Sequence, residues 1–337
     1  MHISPRWAML GAALAALFSP LLVQPAQAAA PVYVALGDSY SSGTGTRSYI
    51  DDGTECMRST QAYPSLIAAG RGYELNLRAC SGATIPDVTG TQLSALSAAT
   101  SYVTISVGGN DAGFADVLTE CALPGWASDC DGAIDGAQAF VDGALPPQLA
   151  SLYADIRGRA PSAQVTVVGY PRIFMGEDCN ALTWFSPEEE ARLNAMADLI
   201  NTRTASAASA AGFQFANPTN AFIGHAVCDD PEWLNGLSNP ISESYHPNAL
   251  GHANGYTPVV SAVTGLALTV TRELEATSDA TAADQAALQR QYAAADRTIE
   301  PDEFVAPDLT TPAIRKAARQ AGVDLDRFIA RSERAAR

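Results

Sequence analysis

Four short stretches carry side chains that could act together on an ester. The apolar run Val32-Tyr33-Val34-Ala35-Leu36 stops at Gly37-Asp38-Ser39, which leaves a hydroxyl just past its end. Two later stretches end the same way, in Cys80-Ser81-Gly82-Ala83-Thr84 and Gly108-Gly109-Asn110-Asp111. The fourth is Glu243-Ser244-Tyr245-His246-Pro247-Asn248. Ester hydrolysis needs a nucleophile, a base for its proton and donors for the oxyanion that develops. Ser39 can be the nucleophile, and its own N–H, the Gly82 N–H and the Asn110 side-chain amide can be the donors. A turn serine alone says little, because serine is a common turn residue. Beyond residue 30 the only histidines are His225, His246 and His252. His246 is stiffened by Pro247 and is the base. His225, close to Cys228, and His252, six residues past His246, read as structural.

These groups need a scaffold that brings strand ends together. Val32 to Leu36 reads as a strand buried on both faces of a parallel sheet. Tyr73 to Cys80 alternates like an edge strand, Tyr102 to Val107 is a third strand, Val165 to Val168 a fourth and Phe213 to Ala216 a fifth. Between them, Ala62 to Ala69 reads as a helix broken at Gly70, and Thr91 to Ala99 as another. Leu145, Leu149, Leu152 and Ile156 give a third at helical spacing, with Pro146 and Pro147 in its first turn. The best-marked helix follows Ser186, with Pro187 at its first position, Glu188 to Glu190 against the dipole, and Gly212 at its end. Val259 to Val270 reads as a final apolar helix. Asp111 is placed to cap a helix after it, and Cys121 to Asp142 reads as a surface excursion. Alternating strands and helices give an α/β fold with a five-stranded parallel sheet, in which ligands bind beyond the strands' carboxyl ends.

Competing chemistries fit less well. The Ser/Gly/Thr-rich stretch Tyr40 to Thr54 contains Gly43-Thr44-Gly45, which lacks the patterns of a phosphate loop or a dinucleotide site, and it reads as a flexible active-site loop. Position 41 is Ser, so the G-x-S-x-G elbow of the α/β-hydrolases is absent around Ser39. Six cysteines, at 56, 80, 121, 130, 179 and 228, include no C-x-x-C pair, which argues against zinc. No metal or cofactor is called for. The formal charge is −16, from 20 basic and 36 acidic side chains, with Lys316 the single lysine. An acidic body without a basic face argues against nucleic-acid binding.

The ends of the chain differ from its body. Arg6 precedes an apolar stretch from Ala8 to Val23, broken by Pro20 and followed by Ala26-Gln27-Ala28, so residues 1–28 read as a secretory signal peptide. An exported chain meets oxidising conditions, which favours disulfides. Six cysteines allow fifteen pairings, of which the sequential one is the simplest. Residues 271–337 hold ten basic and twelve acidic side chains, few large apolar ones, and Pro301, Pro307 and Pro312. They read as a charged tail, helical near Ala282 to Ala295 and Ala313 to Arg334 and otherwise disordered. The compact domain is residues 31–270.

Gly37-Asp38-Ser39-Tyr40-Ser41-Ser42-Gly43, Gly82, Gly108-Gly109-Asn110-Asp111 and His246-Pro247-Asn248 occur in the order of the four blocks of the SGNH hydrolases, also called GDSL esterases and lipases, which the chain resembles. The Arg78 to Thr84 stretch and the cysteines are similar to the secreted actinomycete branch. The resemblance implies a three-layer flavodoxin-like sandwich and the pairing Cys56–Cys80, Cys121–Cys130 and Cys179–Cys228. It also implies an acyl-enzyme on Ser39, with Ser39, Gly82 and Asn110 as the oxyanion hole. The family commonly sets an Asp three residues before the histidine. Here that position is Glu243, so either Glu243 or the Ser244 carbonyl orients the imidazole. The expectation is a secreted, monomeric serine esterase or lipase that meets lipid interfaces transiently. The alternatives are a carbohydrate-ester deacetylase, a phospholipase A-type enzyme and, in another class, a non-catalytic extracellular binding protein.

Overall fold

The computed structural model describes residues 1–2 and 29–335, so the signal peptide read at residues 1–28 lies almost wholly outside the described residues. Five strands make one sheet: β1 (Val32–Gly37), β2 (Glu74–Leu77), β3 (Thr100–Ser106), β4 (Gln164–Val168) and β5 (Gln214–Ala216). All neighbours are parallel, in the order β2-β1-β3-β4-β5. That is the flavodoxin-like order, which reverses direction between β1 and β3 and opens a crevice at their carboxyl ends. Tyr33 to Leu36 of β1 are buried, as a central strand covered on both faces requires. The helices Tyr63–Arg71 and Thr257–Val263 pack together, as do Cys130–Gly143, Leu145–Arg159 and Pro187–Ala210, and the two groups make the outer layers.

Local chemistry explains most element ends. Ser186 Oγ accepts from Glu189 N while Ser186 N donates to Glu189 Oε2, a reciprocal cap that starts the helix Pro187–Ala210. Gly70 does not end the helix that begins at Tyr63. That helix runs to Arg71, and Gly72 closes it at φ 65°. The disulfides join Cys56 to Cys80, Cys121 to Cys130 and Cys179 to Cys228.

Other segments differ from the sequence reading. The supposed excursion after Cys121 contains the helix Cys130–Gly143, whose Ile134, Ala137 and Val141 are buried. Its glycines and aspartates hid that apolar stripe. Thr91 to Ala99 is no regular helix. A wide turn over Val88–Gln92 and a tight one over Leu93–Ala95 replace it, and they aim Gln92 at the sheet. The last helix of the domain stops at Val263. Beyond it Arg71 donates to the carbonyls of Ser261 and Leu266, holding an irregular return.

Residues 271–335, where composition suggests partial disorder, form the helices Arg272–Asp279, Ala282–Gln289, Ala293–Asp296, Pro312–Gln320 and Leu325–Ala335. The first packs on Tyr63–Arg71 and the second along β2, covering that edge of the sheet. The docking is polar as much as apolar, and composition gives no sign of it. Asp296 takes Arg58 at 2.8 Å and Arg78 at 2.6 Å with all three side chains fully buried. Asp52 holds the other side of Arg58 at 2.7 Å. Tyr292 lies under the Arg78 guanidinium at 3.9 Å. No described helix is long and apolar enough to cross a membrane.

Candidate active site

The turn after β1 is fixed before any substrate arrives. Gly37 has φ 123°, and a Cβ there would stand 2.2 Å from the Ser106 carbonyl oxygen, so only glycine lets β1 end this close to β3. The Gln92 amide clamps the same residue, accepting from Gly37 N at 2.7 Å and donating to Gly37 O at 2.8 Å. Asp38 then caps the single turn Ser39–Ser42 by accepting from Tyr40 N. Its carboxylate also accepts from Ser106 Oγ at 2.6 Å and from the Tyr170 hydroxyl. A buried carboxylate with its lone pairs occupied does not swing, so Ser39 sits on a rigid mount.

His246 arrives from a loop tied to that mount. The Tyr40 hydroxyl donates to Tyr245 O at 2.7 Å. Asn235 donates to Gly45 O, and its backbone N–H donates to His246 O at 2.9 Å. The segment Tyr40–Thr46, read as flexible, is therefore buried and bound to the histidine loop. His246 Nε2 lies 2.8 Å from Ser39 Oγ, and Nδ1 lies 2.9 Å from the Ser244 carbonyl. A carbonyl only accepts, so the proton is on Nδ1 and Nε2 is free to take one from Ser39.

Of the two groups considered behind the imidazole, the structure brings Ser244 O to it. Glu243 accepts from Tyr49 at 2.6 Å and from Arg47 Nε at 3.1 Å instead. One residue of offset in the tight turn Ile241–Glu243 is enough to turn its side chain away. Glu243→Gln is therefore expected to keep kcat within about tenfold of wild type in steady-state ester hydrolysis, far from the roughly 10⁴-fold loss of a triad acid. Burial pushes the imidazole down to about 4, against the upward pull of the Ser244 carbonyl.

Of the remaining candidate donors, Asn110 shares a cavity lining with Ser39. Asn110 Nδ2 donates one proton to Ala83 O at 3.0 Å, and Asp111 accepts from Ile85 N at 3.0 Å. Asp111 thus joins the β3 turn to the Gly82 turn and does not cap the helix after it. Neither Ser39 N–H nor Gly82 N–H meets an acceptor among the described residues. Ser39, Asn110, Tyr245 and His246 line one cavity of about 50 Å³. The apolar part of its lining includes Phe114, Leu118, Ile173, Phe174, Leu193 and Met196.

His252 and His225 stand outside the cavity lining. His252 is buried, accepts from Tyr63 N and packs beside Tyr63 and Tyr256, while His225 stacks on Trp233. Gln92, Ser106, Tyr170 and Asn235 escaped the sequence reading. Each acts through one hydrogen bond or pair to a distant turn, and no local pattern announces such a bond.

Residues 35–253 match the model of the GDSL-like Lipase/Acylhydrolase family. A lipase of Streptomyces rimosus is 43% identical over 264 residues, covering 78% of this chain and 95% of that protein. Lipase 1 of Streptomyces coelicolor is 45% identical over 254 residues, covering 74% of this chain and 92% of that protein. The crystal structure of the extracellular S. rimosus lipase superposes with a TM-score of 0.66 at 44% identity, covering 69% of this chain and 100% of that one. Phospholipase A1 of Streptomyces albidoflavus NA297 gives 0.66 at 42% identity, covering 70% and 100%.

Proposed function

The chain belongs to the GDSL-like lipase/acylhydrolase family and is a carboxylic ester hydrolase, and from that premise we propose that it is a secreted serine hydrolase of alkyl and lipid esters working through a Ser39–His246 dyad. The observation that carries the reading is Ser39 Oγ, 2.8 Å from His246 Nε2, at the wall of an apolar cavity. His246 takes the Ser39 proton as Oγ attacks the ester carbonyl. Ser39 N–H, Gly82 N–H and the free Asn110 N–H receive the charge on the carbonyl oxygen. The protonated imidazole returns its proton to the leaving alcohol, and a water then releases the acid from Ser39 by the same route. The Ser244 carbonyl keeps the imidazole in the working tautomer, and no metal or cofactor takes part.

The apolar lining supports an alkyl acyl group over an acetylated sugar. Three disulfides and the leader-like stretch at residues 1–28 support export. The acidic body supports the absence of nucleic acid among its partners, and we take the enzyme to be a monomer. Rates on alkyl esters, triacylglycerols, phospholipids and acetylated xylan compare the readings directly. Alkyl or glyceryl esters are expected to be turned over fastest, and a preference for the acetylated xylan would replace this substrate class.

The low imidazole pKa sets the pH dependence. The base works when neutral, so activity is lost as pH falls through the pKa of His246, pushed down to about 4. The acid limb of kcat/KM is expected near pH 4, and a limb centred at 6.5 would contradict it. An Asp38→Asn enzyme distinguishes a contribution from the Asp38 carboxyl, which burial pushes up to about 6.

A further inference from the structure

The family match ends at residue 253, yet the chain returns to the active site some fifty residues later. At Gly82 a Cβ would stand 2.3 Å from Glu300 O, 2.9 Å from Pro301 Cα and 2.9 Å from Asp302 N. The backbone of residues 300–302 therefore lies directly on Gly82, the glycine proposed above as an oxyanion donor. Asp302 and Phe304 line the same cavity as Ser39 and His246. Phe304 is buried, with its ring 5.0 Å from that of Tyr245, the neighbour of the base.

This crossing is tied at both ends. Before it, Asp296 is locked between Arg58 and Arg78, and Ile299 is buried beside the Cys56–Cys80 disulfide. After it, Val305 N donates to Thr119 Oγ1 at 2.9 Å. Further on, Phe328 packs against Trp126 and Trp184, with ring centres 5.5 and 5.7 Å away. A segment merely resting on the surface would not need two anchors with an aromatic side chain held in the cavity between them.

We infer that residues 300–304 form a strap that completes the active site and that Phe304 sets the acyl-chain length the full-length enzyme accepts. The inference rests on the esterase reading. With the strap in place the cavity is closed above Gly82 and walled by Phe304, so short acyl groups fit and long ones must displace the strap. The buried Asp296 pairs before the strap and the Val305–Thr119 bond after it leave it little slack, so displacement is disfavoured in the resting enzyme.

The test compares kcat/KM for p-nitrophenyl butyrate and decanoate, using the full-length protein. The wild type is expected to favour butyrate at least tenfold, and Phe304→Ala is expected to raise the decanoate-to-butyrate ratio at least tenfold. A wild type indifferent to chain length, or a ratio unmoved by Phe304→Ala in a folded protein, would overturn the inference. If that variant fails to fold, the wild type answers alone. Labelling by a dodecyl phosphonofluoridate is expected to be slower than by an ethyl one and to strip hydrogen-exchange protection from the Val305 amide, which donates to Thr119 Oγ1. Equal labelling rates with protection retained would reject the strap. Loss of hydrolysis on every ester, butyrate included, would instead count against the esterase reading.

Discussion

His246→Ala is expected to lower kcat on a short-chain ester by roughly 10⁴- to 10⁶-fold while the protein still melts as wild type does. The imidazole makes two polar contacts, to Ser39 Oγ and to Ser244 O, and only the first bears on the reaction. Its removal leaves the serine without a proton acceptor. The Ser39 N–H, Gly82 N–H and Asn110 donors still polarise a bound ester, so a residual rate above that of water is expected. Serine and histidine act as one unit, so Ser39→Ala, His246→Ala and the double variant should be about equally slow. Steady-state rates on the three proteins, with their melting curves, check this. Losses that multiply in the double variant would mean that the two side chains work independently.

The second large effect concerns the fold. Asp296→Asn is expected to destabilise the protein by about 3–5 kcal/mol, because it leaves the buried Arg78 guanidinium without its carboxylate. Arg58 retains Asp52 and suffers less. Burial alone would raise the Asp296 carboxyl, but Arg78 and Arg58 outweigh it and hold the group below the usual range. The native carboxyl therefore binds its proton later than the unfolded one as pH falls. The pairing contributes fully above the unfolded pKa of about 3.9 and is lost as pH falls through the depressed native value. Denaturant unfolding of the two proteins should show the gap at pH 7 and its narrowing towards pH 3. A gap below 1 kcal/mol at pH 7 would mean that the extension is not held by this cluster.

The strands and the candidate nucleophile and base were legible because they depend on local pattern. Val32 to Leu36 is apolar throughout, as a doubly covered strand must be, and it ends in a glycine that lets two strand ends meet. Ser186 and Pro187 announce their helix just as directly. The helix Cys130–Gly143 was hidden by residue types that favour turns, although its buried side alone would have revealed it. What stands behind the imidazole was not legible either. A backbone carbonyl such as that of Ser244 leaves no mark on the sequence, whereas Glu243 draws the eye and is occupied by Arg47 and Tyr49.

The C-terminal extension shows the same limit on a larger scale. Its composition predicts too little apolar surface to pack. What docks it is a few long-range contacts, Asp296 to Arg58 and Arg78, Gln289 to Arg78 and Asn76, and Thr60 to Asp279. Each joins residues more than 200 apart in sequence, beyond the reach of periodicity or propensity. Among the extension's buried apolar side chains, Ile299 packs beside the Cys56–Cys80 disulfide and Phe304 lines the cavity of Ser39 and His246.

Ser39 is proposed as a nucleophile activated by His246. Reaction of the folded protein with an ethyl fluorophosphonate, read by intact mass and peptide mapping, tests it most directly. One adduct is expected, on Ser39, absent in Ser39→Ala and formed at least about a hundredfold more slowly in His246→Ala. Native protein that takes up no label, or takes it up as fast without His246, would contradict it.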